Sequence, residues 1–238
     1  MIDIHFHCLP GIDDGPRTWE DAVALCKAAA ADGIETIVAT PHVLRESWVN
    51  DDVAHRDDLI TELNRRLGGK PKIVAGCEYY FSSDAVELCQ AGAPLTMLNR
   101  GNYLLVEFPA TRLPEAAESV FHELSLIGIT PVVAHPERNL VFASQPEKLQ
   151  RLLELGAIAQ ITAGSLTGEF GKAALAATNE FLKRGLVHVV ASDSHSVSRR
   201  PPRMAQARER MRQKWSAELE AALFDANARA IIENKPLP

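Results

Sequence analysis

The sequence predicts an α/β chain folded as a closed or nearly closed barrel of seven parallel strands. Three observations carry that expectation. Seven short β-branched runs recur along the 238 residues, most of them followed by a longer stretch of helical periodicity. The runs are almost continuously apolar, as strands covered on both faces must be. No GxGxxG or GxxxxGK[ST] follows the first run, so the usual nucleotide-site signals of an open doubly wound sheet are missing.

In chain order the strand runs are MIDIHFH (1–7), ETIVATPH (35–42), KIVAGCEYY (72–80), NYLLVEF (102–108), TPVVAHPE (130–137), IAQITAG (158–164) and VHVVASDSH (187–195). Between them lie TWEDAVALCKAAAADG, DDVAHRDDLITELNRRLGG, LPEAAESVFHELSLIG, QPEKLQRLLELG and GKAALAATNEFLKRG, read as helices. Gly33, Gly68, Gly128, Gly156 and Gly185 stand where these helices should stop, which suits a left-handed C′ position. No Gly, Pro and Ser-rich linker divides the chain, so 1–238 is expected to form one domain.

A formal net charge of −6 disfavours nonspecific nucleic-acid binding. Cys8, Cys26, Cys77 and Cys89 have no CxxC spacing, which argues against a zinc knuckle or redox motif. The chain has neither a signal-peptide pattern nor an apolar run near the roughly 18–20 residues that span a bilayer. A cytoplasmic protein with reduced thiols is expected.

The polar residues at the strand ends carry the function. Strand one ends in His5 and His7, strand two in His42, strands three and four in Glu78 and Glu107, strand five in His135, and strand seven in Asp193 and His195. Parallel barrels keep their active sites at the C-terminal ends of the strands. Residues two apart on a strand share a face, so His5 and His7 can reach one ion together, as can Asp193 and His195. A packed histidine pair or a salt-bridged acid is the ordinary alternative at any single strand end. Six strand ends with such residues are better explained by metal. With Asp14 the candidate ligands number nine, too many for one ion, and their mix of imidazole and carboxylate suits manganese, iron or zinc. His188 is read as packed, and His55 and His122 as surface residues.

Arg138 lies three residues after His135, and Arg199 and Arg200 follow DSH. Guanidinium forks suit phosphate oxygens. Arg138 and Arg200 are the candidates for an anionic substrate, with Arg199 the alternative to its neighbour. No cysteine begins a C-x₅-R motif, so a thiolate phosphatase is excluded and Cys8 is expected to be a bystander. Asp13 is expected to be a turn or helix-entry residue.

HFH at the start, TPH, the single Glu ending strand three, HPER and SDSH resemble the PHP (polymerase and histidinol phosphatase) superfamily. IDIHFHCLPGIDDGP, GCEYY, VEF, HPERN and VVASDSH followed by RRPP look like its bacterial manganese-dependent protein-tyrosine phosphatases of the CpsB type. The resemblance covers nearly the whole chain. It implies a distorted (β/α)₇ TIM-like barrel with a cluster of three metals. His5, His7, Glu78 and Asp193 would hold the first, with Glu78 bridging to a second completed by Glu107 and His135. Asp14, His42 and His195 would hold the third. Arg138 and Arg200 match the family's phosphate-binding arginines. The reaction implied is phosphomonoester hydrolysis by a metal-bridging hydroxide, on a phosphotyrosine protein. The implied partner is a bacterial tyrosine kinase whose tyrosine-rich tail controls polysaccharide export. A histidinol-phosphate phosphatase or other small-phosphoester hydrolase, and a non-catalytic PHP module, remain the alternatives.

Overall fold

The structure, a computed structural model, is described for residues 1–92 and 95–238. Among the described residues, nine strand segments occupy seven positions: β1 (Ile2–Phe6), β2 (Thr36–Ala39), β3 (His42–Val43), β4 (Lys72–Ala75), β5 (Glu78–Tyr80), β6 (Tyr103–Glu107), β7 (Thr130–Ala134), β8 (Ile158–Thr162) and β9 (Val189–Ala191). All ladders are parallel, in the orders β1-β2-β4 and β3-β5-β6-β7-β8-β9. The second and third expected strands are thus each broken in two. Pro41 has no N–H to give the ladder, and Gly76 lies so close to β2 that a Cβ there would meet Val38 Cγ1 at 2.6 Å. Hydrogen bonds Thr40 N to Phe6 O (2.9 Å) and Glu78 N to Pro41 O (3.0 Å) carry the pairing across the breaks. Asp193 N donates to His5 O and His7 N to Ser194 O, both at 2.9 Å, and so join the last strand to the first. The result is a distorted seven-position barrel.

Two apolar clusters define inside and outside. Ile2, Ile4, Val38, Val74, Leu105, Val132, Ile158 and Val189 fill the barrel. Phe6, Ile37, Ile73, Leu104, Val133, Ile161 and Val190 face the helices. Burial of each such Ile, Leu, Val or Phe contributes about 1.5–3 kcal/mol. The five expected helices form, as Trp19–Ala31, Val53–Leu67, Ala117–Leu126, Pro146–Glu154 and Gly171–Lys183. Thr18 accepts from Asp21 N to cap the first, and Asp52 from His55 N to cap the second. At the far end of the second, Gly68 has φ 64°, the left-handed conformation that closes a helix without Cβ strain.

The end of the chain, to which sequence periodicity assigns no element, makes Met204–Lys214 and a helical run through Asn227–Ile232. Ala228 and Ile231 of that last helix pack with Ile2, Ile4 and Val189. This closes the barrel floor and leaves the C-terminal strand ends as the open face.

Candidate metal centre

Above the apolar layers, the inward positions turn polar. Val38, Thr40 and His42 alternate along one wall, Val74, Gly76 and Glu78 along the next, and Tyr103, Leu105 and Glu107 along a third. Two walls need a backbone irregularity to deliver their side chains. Ile2 and Ile4 both face inward, so plain alternation would send His5 out with Asp3. The β1–β2 register shifts between Asp3 and Phe6, and His5 points into the barrel against Gln160 instead. Val132 and Ala134 likewise face inward, and His135 follows them only because its φ is 33°. Asp193 also has a positive φ, 52°. Left-handed conformations at non-glycine residues are costly and concentrate where a side chain must be aimed.

All nine sequence-predicted metal candidates meet here. Their donor atoms form four groups, each within 4.8 Å: His7, Asp14, His42 and His195; His5, Glu78 and His135; His5, His7 and Asp193; and His42, Glu78 and Glu107. Glu78 is the hub, its carboxylate lying 2.8 Å from His42 Nδ1, 2.9 Å from His135 Nε2, 3.3 Å from His5 Nε2 and 3.4 Å from His7 Nε2. Glu107 groups with His42 and only reaches His135 at 4.0 Å.

Three histidines have their ring protons already committed. His5 Nδ1 donates to Gln160 Oε1 (2.8 Å), His7 Nδ1 to Asp13 Oδ2 (2.8 Å) and His195 Nδ1 to Asp193 O (3.0 Å). Each therefore turns Nε2 to the centre, the arrangement in which a hydrogen-bonded imidazole binds a metal. The Nε2 atoms of His5 and His7 face each other at 3.3 Å with no proton for either in the neutral rings. A shared cation, added proton or metal satisfies both. This mixed nitrogen and oxygen donor set fits a transition-metal cluster.

Electrostatics agree. Burial opposes a charge on His5, but Glu78 and Asp193 outweigh it and raise the imidazole to about 9. Burial likewise opposes His42, which Glu78 and Asp14 raise to about 10. Glu78 and Asp193 are held well below the ordinary carboxylate range despite burial, Glu78 by His5 and His42, Asp193 by His5, Arg200 and Arg138. The pocket is a sink for positive charge.

Arg138 Nη1 and Arg200 Nη2 both bond Asp193 Oδ2, and Arg200 Nη1 lies 3.2 Å from His195 Nε2. Arg199 is exposed. Phe170 lies beneath the pair, its ring 4.6 Å from the Arg138 guanidinium and 5.7 Å from that of Arg200. A Cβ at Gly164 would meet that ring at 2.7 Å, so glycine is needed there. Glu137, between His135 and Arg138, anchors their turn by accepting from Thr162 N and Oγ1.

Asp13 departs from expectation. It does hold its turn, accepting from Gly15 N, but the same carboxylate orients His7 and accepts from His42 N. Sequence reasoning also passes over Gln160, Phe170 and Arg45. Arg45 had a signal, since His42-Val43-Leu44-Arg45 repeats the spacing of His135 to Arg138. Cys8 is buried, and its thiol is pushed well up by the neighbouring Cys26 and by burial. His55 and His122 are exposed, and His188 bonds Ala159 beside β9, away from the centre.

A parallel α/β barrel with a multi-donor centre and arginines at its open face defines a metal-centred hydrolase architecture for anionic substrates. Residues 1–233 match the family model for capsular polysaccharide synthesis, CpsB/CapC, and the chain belongs to that family. It is 38% identical to the tyrosine-protein phosphatase YwqE of Bacillus subtilis, over 100% of this chain and 93% of that protein. It is 32% identical to the tyrosine-protein phosphatase CpsB of Streptococcus pneumoniae, over 98% of both. A solved structure from the YwqE and CpsB pair, described as metal-dependent tyrosine phosphatases, superposes with a TM-score of 0.95 at 36% identity, covering 100% of this chain and 96% of that one. Organophosphorus hydrolase from Deinococcus radiodurans shares the fold, at a TM-score of 0.58 and 13% identity over 97% of this chain and 91% of that one.

Proposed function

We propose that residues 1–238 act as one phosphatase domain that hydrolyses phosphotyrosine on protein, in the service of capsule or exopolysaccharide synthesis. The observation that carries this reading is the convergence of nine imidazole and carboxylate groups beside two arginines at the barrel mouth. The relatives named above are tyrosine phosphatases, which favours this reading over a histidinol-phosphate phosphatase. The complete donor set disfavours a non-catalytic module.

On the assignment that the resemblance implies, His5, His7, Glu78 and Asp193 would hold one ion, Glu78 with Glu107 and His135 a second, and Asp14, His42 and His195 a third; the donor atoms group in keeping with the first and third, whereas Glu107 stands nearer His42 than His135. Manganese is the first choice, with iron or zinc the others. Bound there, divalent ions supply an activated water and neutralise phosphoryl charge. Arg138 and Arg200 take phosphoryl oxygens and hold them through the in-line displacement. Asp13, Gln160 and the Asp193 carbonyl keep His7, His5 and His195 in the metal-binding tautomer. A phenolate leaving group, with a pKa near 10, departs with little help from a general acid.

No helix among the described residues is long and apolar enough to cross a membrane. The substrate is a bacterial tyrosine kinase with a tyrosine-rich tail, met in the cytoplasm. Elemental analysis of the purified protein with turnover of a phosphotyrosyl peptide tests the reading, repeated on His5→Ala and Arg138→Ala and with histidinol phosphate as the competing substrate. Both variants should lose turnover, and His5→Ala should lose metal. Full turnover in His5→Ala would sink the mechanism.

A further inference from the structure

We propose that Arg45 is a third arginine of the phosphate site, on the Glu107 side of the cavity where Arg138 and Arg200 stand on the Asp193 side. The inference rests on the phosphatase reading and adds a substrate-binding residue to it.

Arg45 lines the same cavity of about 120 Å³ as Arg138, Arg200, Glu78, Glu107 and His195. The three arginines sit at one depth, their side chains 28, 29 and 27% exposed. Each is engaged with an acid of the centre, Arg138 and Arg200 with Asp193, and Arg45 Nη1 with Glu107 Oε2 at 2.9 Å. The same Nη1 lies 2.8 Å from His42 Nε2.

Its placement is built, not incidental. Residues 44–49 form a tight hairpin in which Arg45 and Trp48 exchange both backbone hydrogen bonds and Leu44 N donates to Val49 O. Asn50 Nδ2 ties the hairpin down by donating to Ile12 O and His42 O, both at 2.8 Å. The Arg45 guanidinium lies 5.6 Å from the ring centroids of both Trp48 and Tyr80, and Trp48 itself stacks on His42 at 5.1 Å and 14°. Aromatic contacts occupy the faces of a guanidinium and leave its N–H edge, a fork that matches phosphate oxygens, free to bond. Nη1 alone meets Glu107 and His42, while Nε and Nη2 bond no described residue. An arginine serving Glu107 alone would commit its fork to that carboxylate. This one keeps donors for an anion entering between the two arginine walls. A phosphomonoester dianion is the ligand class that three guanidinium groups over a cationic centre select.

Arg45→Met and Arg45→Lys test this through the inhibition constant of inorganic phosphate and through KM and kcat for a phosphotyrosyl peptide. All are measured at metal content equal to the parent's by elemental analysis. Arg45→Met should weaken phosphate and raise KM by about tenfold, the loss of one charge-assisted hydrogen bond. Arg45→Lys, keeping the charge without the fork, should recover part of both. A phosphate constant for Arg45→Met within twofold of the parent overturns the proposal. So does a variant whose only change is in the metal it retains, since Arg45 would then serve Glu107 alone. A parent protein inactive on the phosphotyrosyl peptide and blind to phosphate instead overturns the phosphatase reading itself.

Discussion

Asp13 Oδ2 lies 2.8 Å from His7 Nδ1, and that contact decides which nitrogen of His7 faces the centre. Buried Asp13 is held below the usual carboxylate range although burial opposes it, because His7 sits against it. Removing such an outer partner typically lowers metal affinity 10- to 100-fold. Asp13→Ala should therefore release metal to a chelator at about 10- to 100-fold lower chelator concentration, while circular dichroism stays that of the parent. Unchanged metal affinity would reduce Asp13 to a turn residue.

Phe170 places its ring against the guanidinium groups of both Arg138 and Arg200. Cation–π support of this kind is worth about 0.5–2 kcal/mol. In Phe170→Ala, KM for a phosphotyrosyl peptide should rise about 3- to 10-fold, with kcat and bound metal held. A fall in kcat at constant KM would contradict a purely positioning role.

Cys8 stands between His7 and the Leu9-Pro10 turn, where a nucleophile would be convenient, but burial and Cys26 keep it a thiol. Cys8→Ser should retain turnover within about twofold of the parent, and thiol alkylation should not inhibit. Inactivity at full metal content would return Cys8 to the mechanism.

Asp3 is wholly buried, and desolvation raises its carboxyl to about 6, against hydrogen bonds from Ser192 and His5 that favour the charge. A raised folded-state pKa gives stability that is present below the unfolded value, near 3.8, and lost as pH rises through about 6. Holding the buried Asp3 carboxylate charged therefore costs roughly 3 kcal/mol at neutral pH and above. In chelator-treated protein, Asp3→Asn should melt above the parent at pH 8 and converge on it by pH 4. A variant less stable than the parent at pH 8 would show that the charged form is the one this site wants.

Much of the fold was legible because its signals are local. Strands covered on both faces must be apolar throughout, and helices between them stop where glycine permits a left-handed residue. The breaks at Pro41 and Gly76 were visible as residues but not as breaks, since they depend on how closely β2 and β4 approach. The final helix was illegible for a similar reason. Its role as a floor comes from packing Ala228 and Ile231 against residues more than two hundred positions earlier.

The nine metal candidates could be picked out because ionisable groups at the ends of apolar strands are costly unless something charged meets them. Asp13, Gln160 and Phe170 could not. An aspartate in a turn, an amide in a strand and an aromatic before a glycine are ordinary until their neighbours are known. Arg45 was half legible, through its spacing from His42.

The sequence by itself determined the strand and helix alternation, the open end of the barrel and the chemistry gathered there, since periodicity and burial cost are properties of residues in order. Only the tertiary structure decided how those residues are aimed. The register shift that turns His5 inward, the left-handed His135 and the two walls of arginine are set by contacts between distant strands. No local pattern encodes those distances.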